Sequence, residues 1–170
     1  MKIAIVFDSK TGNTELVAGA IREACAGQEI VAFGPPPADV SQADLVFVGS
    51  WVDKGTCTSP MSQFNQSLAG KRVAVFGTAG FGGDAAYAAK LFERARASLP
   101  QDAQVIGYFY CLGKMRLESR EKYVALLREH PEDKQLQVSV KNFDEAQSHP
   151  DANDLARAAA FARDMMAHTN

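Results

Sequence analysis

The apolar positions of the chain fall into five short runs separated by stretches with helical spacing. The first run is Ile3–Phe7 and the second a weaker Glu29–Phe33. The third is Leu45–Gly49, the fourth Arg72–Gly77 and the fifth Gln104–Cys111. The first, third and fourth are continuously apolar instead of alternating, which is the pattern of strands buried on both faces of a parallel sheet. Between the runs, Val17, Ala20, Ile21 and Ala24 recur at helical spacing in a helix from about Asn13 to Ala26. Pro60 opens a short helix to about Leu68, with Met61, Phe64 and Leu68 on one face. Asp84 to Leu99 carries Ala88, Leu91, Phe92 and Ala95, and Pro100 stops it. A last helix, about Asp151 to His168, presents Leu155, Ala158, Ala159, Ala162, Met165 and Met166. Alternating strands and helices predict one doubly wound, three-layer α/β domain over residues 1–170, and right-handed crossovers leave few topologies.

One region breaks the alternation. Between the fifth run and the last helix lies an insertion, Leu112 to Pro150. It holds an amphipathic helix pattern over Glu118–Glu129, with Tyr123, Leu126 and Leu127 on it. A polar segment with His130-Pro131 follows, and then a short strand pattern, Leu136–Val140. A connection this long in a compact domain is functional or has structure of its own. Docking site, lid and dimer arm are all open readings of it.

The polar stretches between the runs carry the chemistry. Ser9, Lys10, Thr11, Gly12, Asn13 and Thr14 form a tight loop between the first strand and the first helix. Backbone N–H groups at a helix start have no intrahelical partner, and the macrodipole puts partial positive charge there. With hydroxyls from Ser9, Thr11 and Thr14 and the amide of Asn13 beside them, this loop reads as a phosphate site. In an open parallel sheet, ligands bind outside the C-terminal strand ends where the strand order reverses. Two further loops leave strands near that point: Ser50–Ser59, with the lone Trp51, and Thr78–Asp84, rich in glycine and holding Phe81. A planar, partly apolar ligand with a phosphate tail fits this set.

Composition narrows the function classes. A formal charge of -2 and no Lys/Arg-rich run argue against nucleic acid and anionic membrane as partners. Cys25, Cys57 and Cys111 are odd in number and widely spaced, and read as free thiols of a cytoplasmic protein. No apolar stretch is long enough to span a bilayer. Cys111 reads as a buried strand residue and Cys57 as a passive small one. His130, His149 and His168 show no metal-ligand spacing and read as surface residues. Lys114 and Arg116 read as a solvated pair, with the cofactor edge or a partner as the alternative.

The six residues from Ser9 to Thr14 match the flavodoxin phosphate signature T/S-x-T-G-N-T. Ser50-Trp51 resembles the first flavin-ring loop of that family, and Gly83-Asp84-Ala85-Ala86-Tyr87 resembles the G-D-x-x-Y segment at its second. The resemblance covers roughly residues 1–112 and the last helix. It implies a flavodoxin-like fold with strand order 2-1-3-4-5 and non-covalent FMN. The phosphate would lie on Ser9–Thr14. The ring would lie between Ser50, Trp51, Val52, Asp53, Lys54 and Gly55 on one side and Thr78, Ala79, Gly80, Phe81 and Gly82 on the other. The third loop is longer than the family pattern, which leaves the second stacking residue open between Phe81 and Tyr87. Tyr87 falls inside the next helix pattern, which favours Phe81. The Gly77-Thr78-Ala79-Gly80 loop and Cys111-Leu112-Gly113-Lys114-Met115 resemble a divergent subfamily, whose members include accessory redox partners of reductases. The expected function is FMN-dependent electron transfer between a reductase and an acceptor enzyme, by a monomer or weak dimer. The alternative is a small NAD(P)H-dependent FMN or quinone reductase.

Overall fold

Side chains point alternately to opposite faces of a strand, so a strand apolar at every position needs a helical layer on each side. The computed structural model describes residues 1–168 and has that arrangement. The elements are β1 (Lys2–Asp8), α1 (Asn13–Ala24), β2 (Glu29–Gly34), β3 (Leu45–Trp51), α2 (Ser59–Asn65) and β4 (Arg72–Ala79). They continue with α3 (Ala85–Arg96), β5 (Gln104–Leu112), α4 (Leu117–Glu129), α5 (Lys134–Ala146) and α6 (Ala152–Ala167). All strand pairs are parallel, in the order β2-β1-β3-β4-β5. This is the flavodoxin-like order expected from the sequence.

Two cores sandwich the sheet. Ile3, Ile5 and Phe7 of β1, with Leu45 and Phe47 of β3, pack under Val17 and Ile21 of α1 and Phe161 and Met165 of α6. Ala4 and Val6, with Val46 and Val48, meet Met61 and Phe64 of α2 and Ala95 of α3. The strand order reverses direction between β1 and β3. Right-handed crossovers therefore put α1 on one face and α2 and α3 on the other. The reversal leaves a crevice above the C-terminal ends of the inner strands.

The insertion is a helical hairpin, α4 and α5. The strand expected over Leu136–Val140 is the first half of α5. Its period-two alternation covers only five residues. Over the longer window, Ser139, Phe143 and Ala146 are the buried positions, spaced as on one face of a helix, while Val138 is 46% exposed. Asp133 caps the helix by accepting from the N–H groups of Gln135 and Leu136 at 2.8 and 3.1 Å. Arg120 of α4 donates twice to the Asp144 carboxylate of α5, at 2.8 and 3.3 Å. The guanidinium holds that carboxyl below the usual carboxylate range. The pair is exposed, so it sets the helix register more than it stabilises. Phe143 is 1% exposed yet belongs to neither sheet core. No helix among the described residues is long and apolar enough to cross a membrane.

Because Phe143 packs apart from the sheet cores, Phe143→Ala should weaken the hairpin by about 3–5 kcal/mol, the ordinary cost of such a truncation. Amide hydrogen exchange should speed up in α4 and α5 while β1, β3 and β4 keep their protection.

Candidate functional site

The chain leaves β1 at Asp8, turns through Ser9–Gly12 and enters α1 at Asn13. Gly12 occupies the position before the helix with φ +86°, a left-handed conformation open to glycine at little cost. The Ser9 hydroxyl accepts from the N–H of Glu15 at 3.2 Å, closing the loop onto the helix start. Asn13 and Thr14, in the first helical turn, have no intrahelical carbonyl to bond. Thr14 and Thr78 are both buried, and their hydroxyls lie 2.9 Å apart. One of them donates to the other, so one hydroxyl hydrogen of the pair stays free for a ligand acceptor.

Thr78 is the last residue but one of β4, and Trp51 closes β3 beside it in register. Ser50 lies behind Trp51. Its hydroxyl donates to the Trp51 carbonyl at 2.7 Å and accepts from the Thr58 N–H at 3.0 Å, so it fixes the loop and is turned away from the crevice. Val52 N–H donates to the Thr78 carbonyl at 2.9 Å. Beyond it, Asp53 and Thr56 exchange two backbone hydrogen bonds across a two-residue turn, with Lys54 at φ +49° and Gly55 at φ +84°. Arg94 of α3 donates to the Gly55 carbonyl at 3.2 Å and pins this turn to the body of the protein. The Lys10 ammonium sits over the Trp51 ring, 5.0 Å from its centroid.

These loops enclose a cavity of about 410 Å³, within the usual range for small-molecule sites. Of the expected site residues, Lys10, Thr11, Asn13, Trp51, Val52, Asp53, Thr78, Ala79 and Gly80 line it. Ser9, Gly12, Thr14 and Ser50 support it from behind through the contacts above. Lys54 and Gly55 form the pinned turn at its edge. Phe81 and Gly82 lie elsewhere: the Phe81 and Tyr87 rings pack on each other with centroids 6.3 Å apart, and Tyr87 covers Gly82.

The remaining wall comes from the insertion. Gly113, Lys114, Met115 and Arg116, with Ser119 and Tyr123 of α4, also line the cavity. Thus Lys114 and Arg116, although exposed, are not simply solvated; they stand at the rim. The Asn13 side-chain amide donates to the Lys114 carbonyl at 2.9 Å and to the Thr11 hydroxyl at 3.0 Å, which engages both of its hydrogens within the protein. Gly113 N–H donates to the Ala79 carbonyl at 3.0 Å. A Cβ at Gly113 would stand 2.8 Å from the Asn13 amide nitrogen, so only glycine allows this approach without a shift. The signal missed in the sequence is the helical spacing of Arg116, Ser119 and Tyr123, which puts them on one stripe.

The other reactive groups lie off the cavity. Cys57 is half-buried, with its sulfur 3.7 Å from the Ser98 hydroxyl. Burial pushes the Cys25 thiol up to about 11 and, with a smaller contribution from Asp154, the Cys111 thiol up to about 12. His149 is not the free surface residue expected. Its Nδ1 lies 2.5 Å from the buried Asp154 carboxylate, and its carbonyl accepts from the Lys114 N–H at 3.0 Å. Asp154 also belongs to the capping box that starts α6, so its oxygens serve the helix end.

A sheet of this order with a phosphate-type loop, a Trp loop and a glycine loop at one crevice defines the flavodoxin-like class of α/β proteins. The chain belongs to the flavodoxin domain family, whose model matches residues 4–163. It is 32% identical over 173 residues to the flavodoxin-like domain-containing protein BilS of Clostridioides difficile, covering 98% of this chain and 97% of that one. It is 34% identical over 179 residues to the protein of the same name from Clostridium symbiosum, covering 95% and 94%. Among solved structures, a flavodoxin of Streptococcus pneumoniae TIGR4 superposes with a TM-score of 0.59 at 19% identity, covering 99% of each chain.

Thiol reactivity tests the burial just described. With an Ellman-type reagent near pH 8, one thiol per native chain, Cys57, should react readily. Cys25 and Cys111 stay protonated below their raised values and out of reach. They should react only after denaturant is added.

Proposed function

We propose that the protein binds FMN in this cavity and carries electrons between a reductase and an acceptor enzyme. The observation that carries the reading is the meeting of a helix-start loop, Trp51 and the glycine loop around one cavity of suitable size. The donor set fits a phosphate: free N–H groups at the start of α1, the Thr11 hydroxyl, and one hydroxyl hydrogen from the Thr14–Thr78 pair. The glycine loop fits a ring edge, since a Cβ on Gly80 would collide with Met115 and narrow the cavity. When bound, the flavin supplies the redox chemistry; the protein holds it and sets its electrostatic surroundings.

Those surroundings are mostly cationic. Lys10, Lys114 and Arg116 line the cavity against the single carboxylate of Asp53. Nearby cations favour added negative charge, whether it arrives as a phosphate or as electrons. This set contrasts with the overall charge of -2.

The alternative, a small NAD(P)H-dependent reductase, is favoured by one observation: α4 walls the cavity on a side that an electron carrier could leave open to its partner. One experiment separates the readings. FMN added to the purified protein should give a stoichiometric yellow complex. NAD(P)H should then be oxidised only after a reductase is supplied; oxidation by the isolated protein would favour the enzyme. Thr11→Val, which removes one phosphate donor, should weaken FMN binding by about 1–3 kcal/mol in calorimetry. Unchanged affinity would remove the phosphate from this loop.

A further inference from the structure

The glycine loop brings no aromatic side chain to the cavity. Phe81 and Tyr87 bound a separate space of about 10 Å³, closed by Leu91 and Tyr110. Among the residues lining the cavity at the strand ends, two are aromatic: Trp51, at the end of β3, and Tyr123, from the second turn of α4. Tyr123 shares its helical stripe with Ser119, and both are half-buried, although no residue of α4 is fully buried. The covered side of α4 runs from Ser119 and Tyr123, which line the cavity, to Arg120, Val124 and Leu127 beside them, with Arg120 bonded to α5.

The approach of α4 is fixed from several directions. Asn13 holds the Lys114 carbonyl, and the Ala79 carbonyl holds the Gly113 N–H. The His149 carbonyl takes the Lys114 N–H, and Gln147 donates to the Met115 carbonyl at 3.2 Å. These four bonds tie the start of α4 to the phosphate-type loop, the end of β4, and the end of α5 with the turn that leads into α6. A side chain one turn into a helix so anchored has a defined position at the cavity.

We propose that Tyr123, in place of Phe81 or Tyr87, supplies the second aromatic face of the flavin ring site. The proposal rests on the FMN reading above. It makes the insertion part of the cofactor site: the sheet gives the phosphate loop and one aromatic wall, and α4 gives the other. Tyrosine offers a flat apolar face for stacking and a polar phenol tip suited to a partly wet site.

FMN itself is the probe. Tyr123→Leu should raise the FMN dissociation constant roughly tenfold, and Tyr123→Phe should restore it, because the ring face and not the phenol does the work. Phe81→Leu and Tyr87→Leu should bind like the parent. In a Trp51→Leu background, where Tyr123 is the remaining quencher, bound-flavin fluorescence should rise on Tyr123→Leu and stay low on Tyr123→Phe. Parent-like affinity for Tyr123→Leu, or the loss appearing in Phe81→Leu or Tyr87→Leu, overturns the proposal. A parent protein that takes up no FMN overturns the cofactor reading itself.

Discussion

A parallel sheet covered on both faces leaves the side chains of its inner strands buried along their length. Ile3 to Phe7, Leu45 to Val48 and Val73 to Phe76 are all committed to the two cores. Polar function is therefore confined to strand ends, where backbone groups run out of ladder partners and the chain must turn. The reversal between β1 and β3 then decides which ends come together. The strand-end part of the cavity follows: the α1 start from β1, Trp51 from β3, and Thr78 to Gly80 from β4.

The insertion answers a second need. Three strand ends make a floor and two sides, which leaves the cavity open above. The segment from Gly113 to Tyr123 covers that side and is held there mostly through backbone groups. Asn13 is the pivot of this arrangement. In the loop sequence it reads as one more phosphate donor, but both of its amide hydrogens are engaged by Thr11 and Lys114. Its side chain joins the strand-loop-helix turn at the start of α1 to the segment that leads into α4.

The sheet was legible because its signal is local. A continuous apolar run bounded by polar turns needs no knowledge of its neighbours to read as a buried strand, and Ile3–Phe7 shows it at its clearest. The loop from Ser9 to Thr14 was legible for the same reason. The insertion was not, because its meaning lies in contacts remote in sequence. Leu136, Val138 and Val140 alternate as a strand would, and only Phe143 and Ala146 farther on show that the helical period governs. Tyr123 read as one residue of an amphipathic face, since nothing near it in sequence says that the face meets Trp51's cavity. Phe81 and Tyr87 were attractive as stackers by position. Their mutual packing is a tertiary choice that a loop sequence does not display.

The α4–α5 hairpin buries Phe143 outside both sheet cores and is tied to the rest of the domain by the hydrogen bonds at its base. A hairpin joined in this way can open locally while the strand ladders beneath it stay intact. Were the hairpin to open before an occupant leaves the cavity, the residence time would follow that local opening and not the stability of the whole fold. Two chains with the same melting temperature and different insertions would therefore hold the same molecule for very different lengths of time.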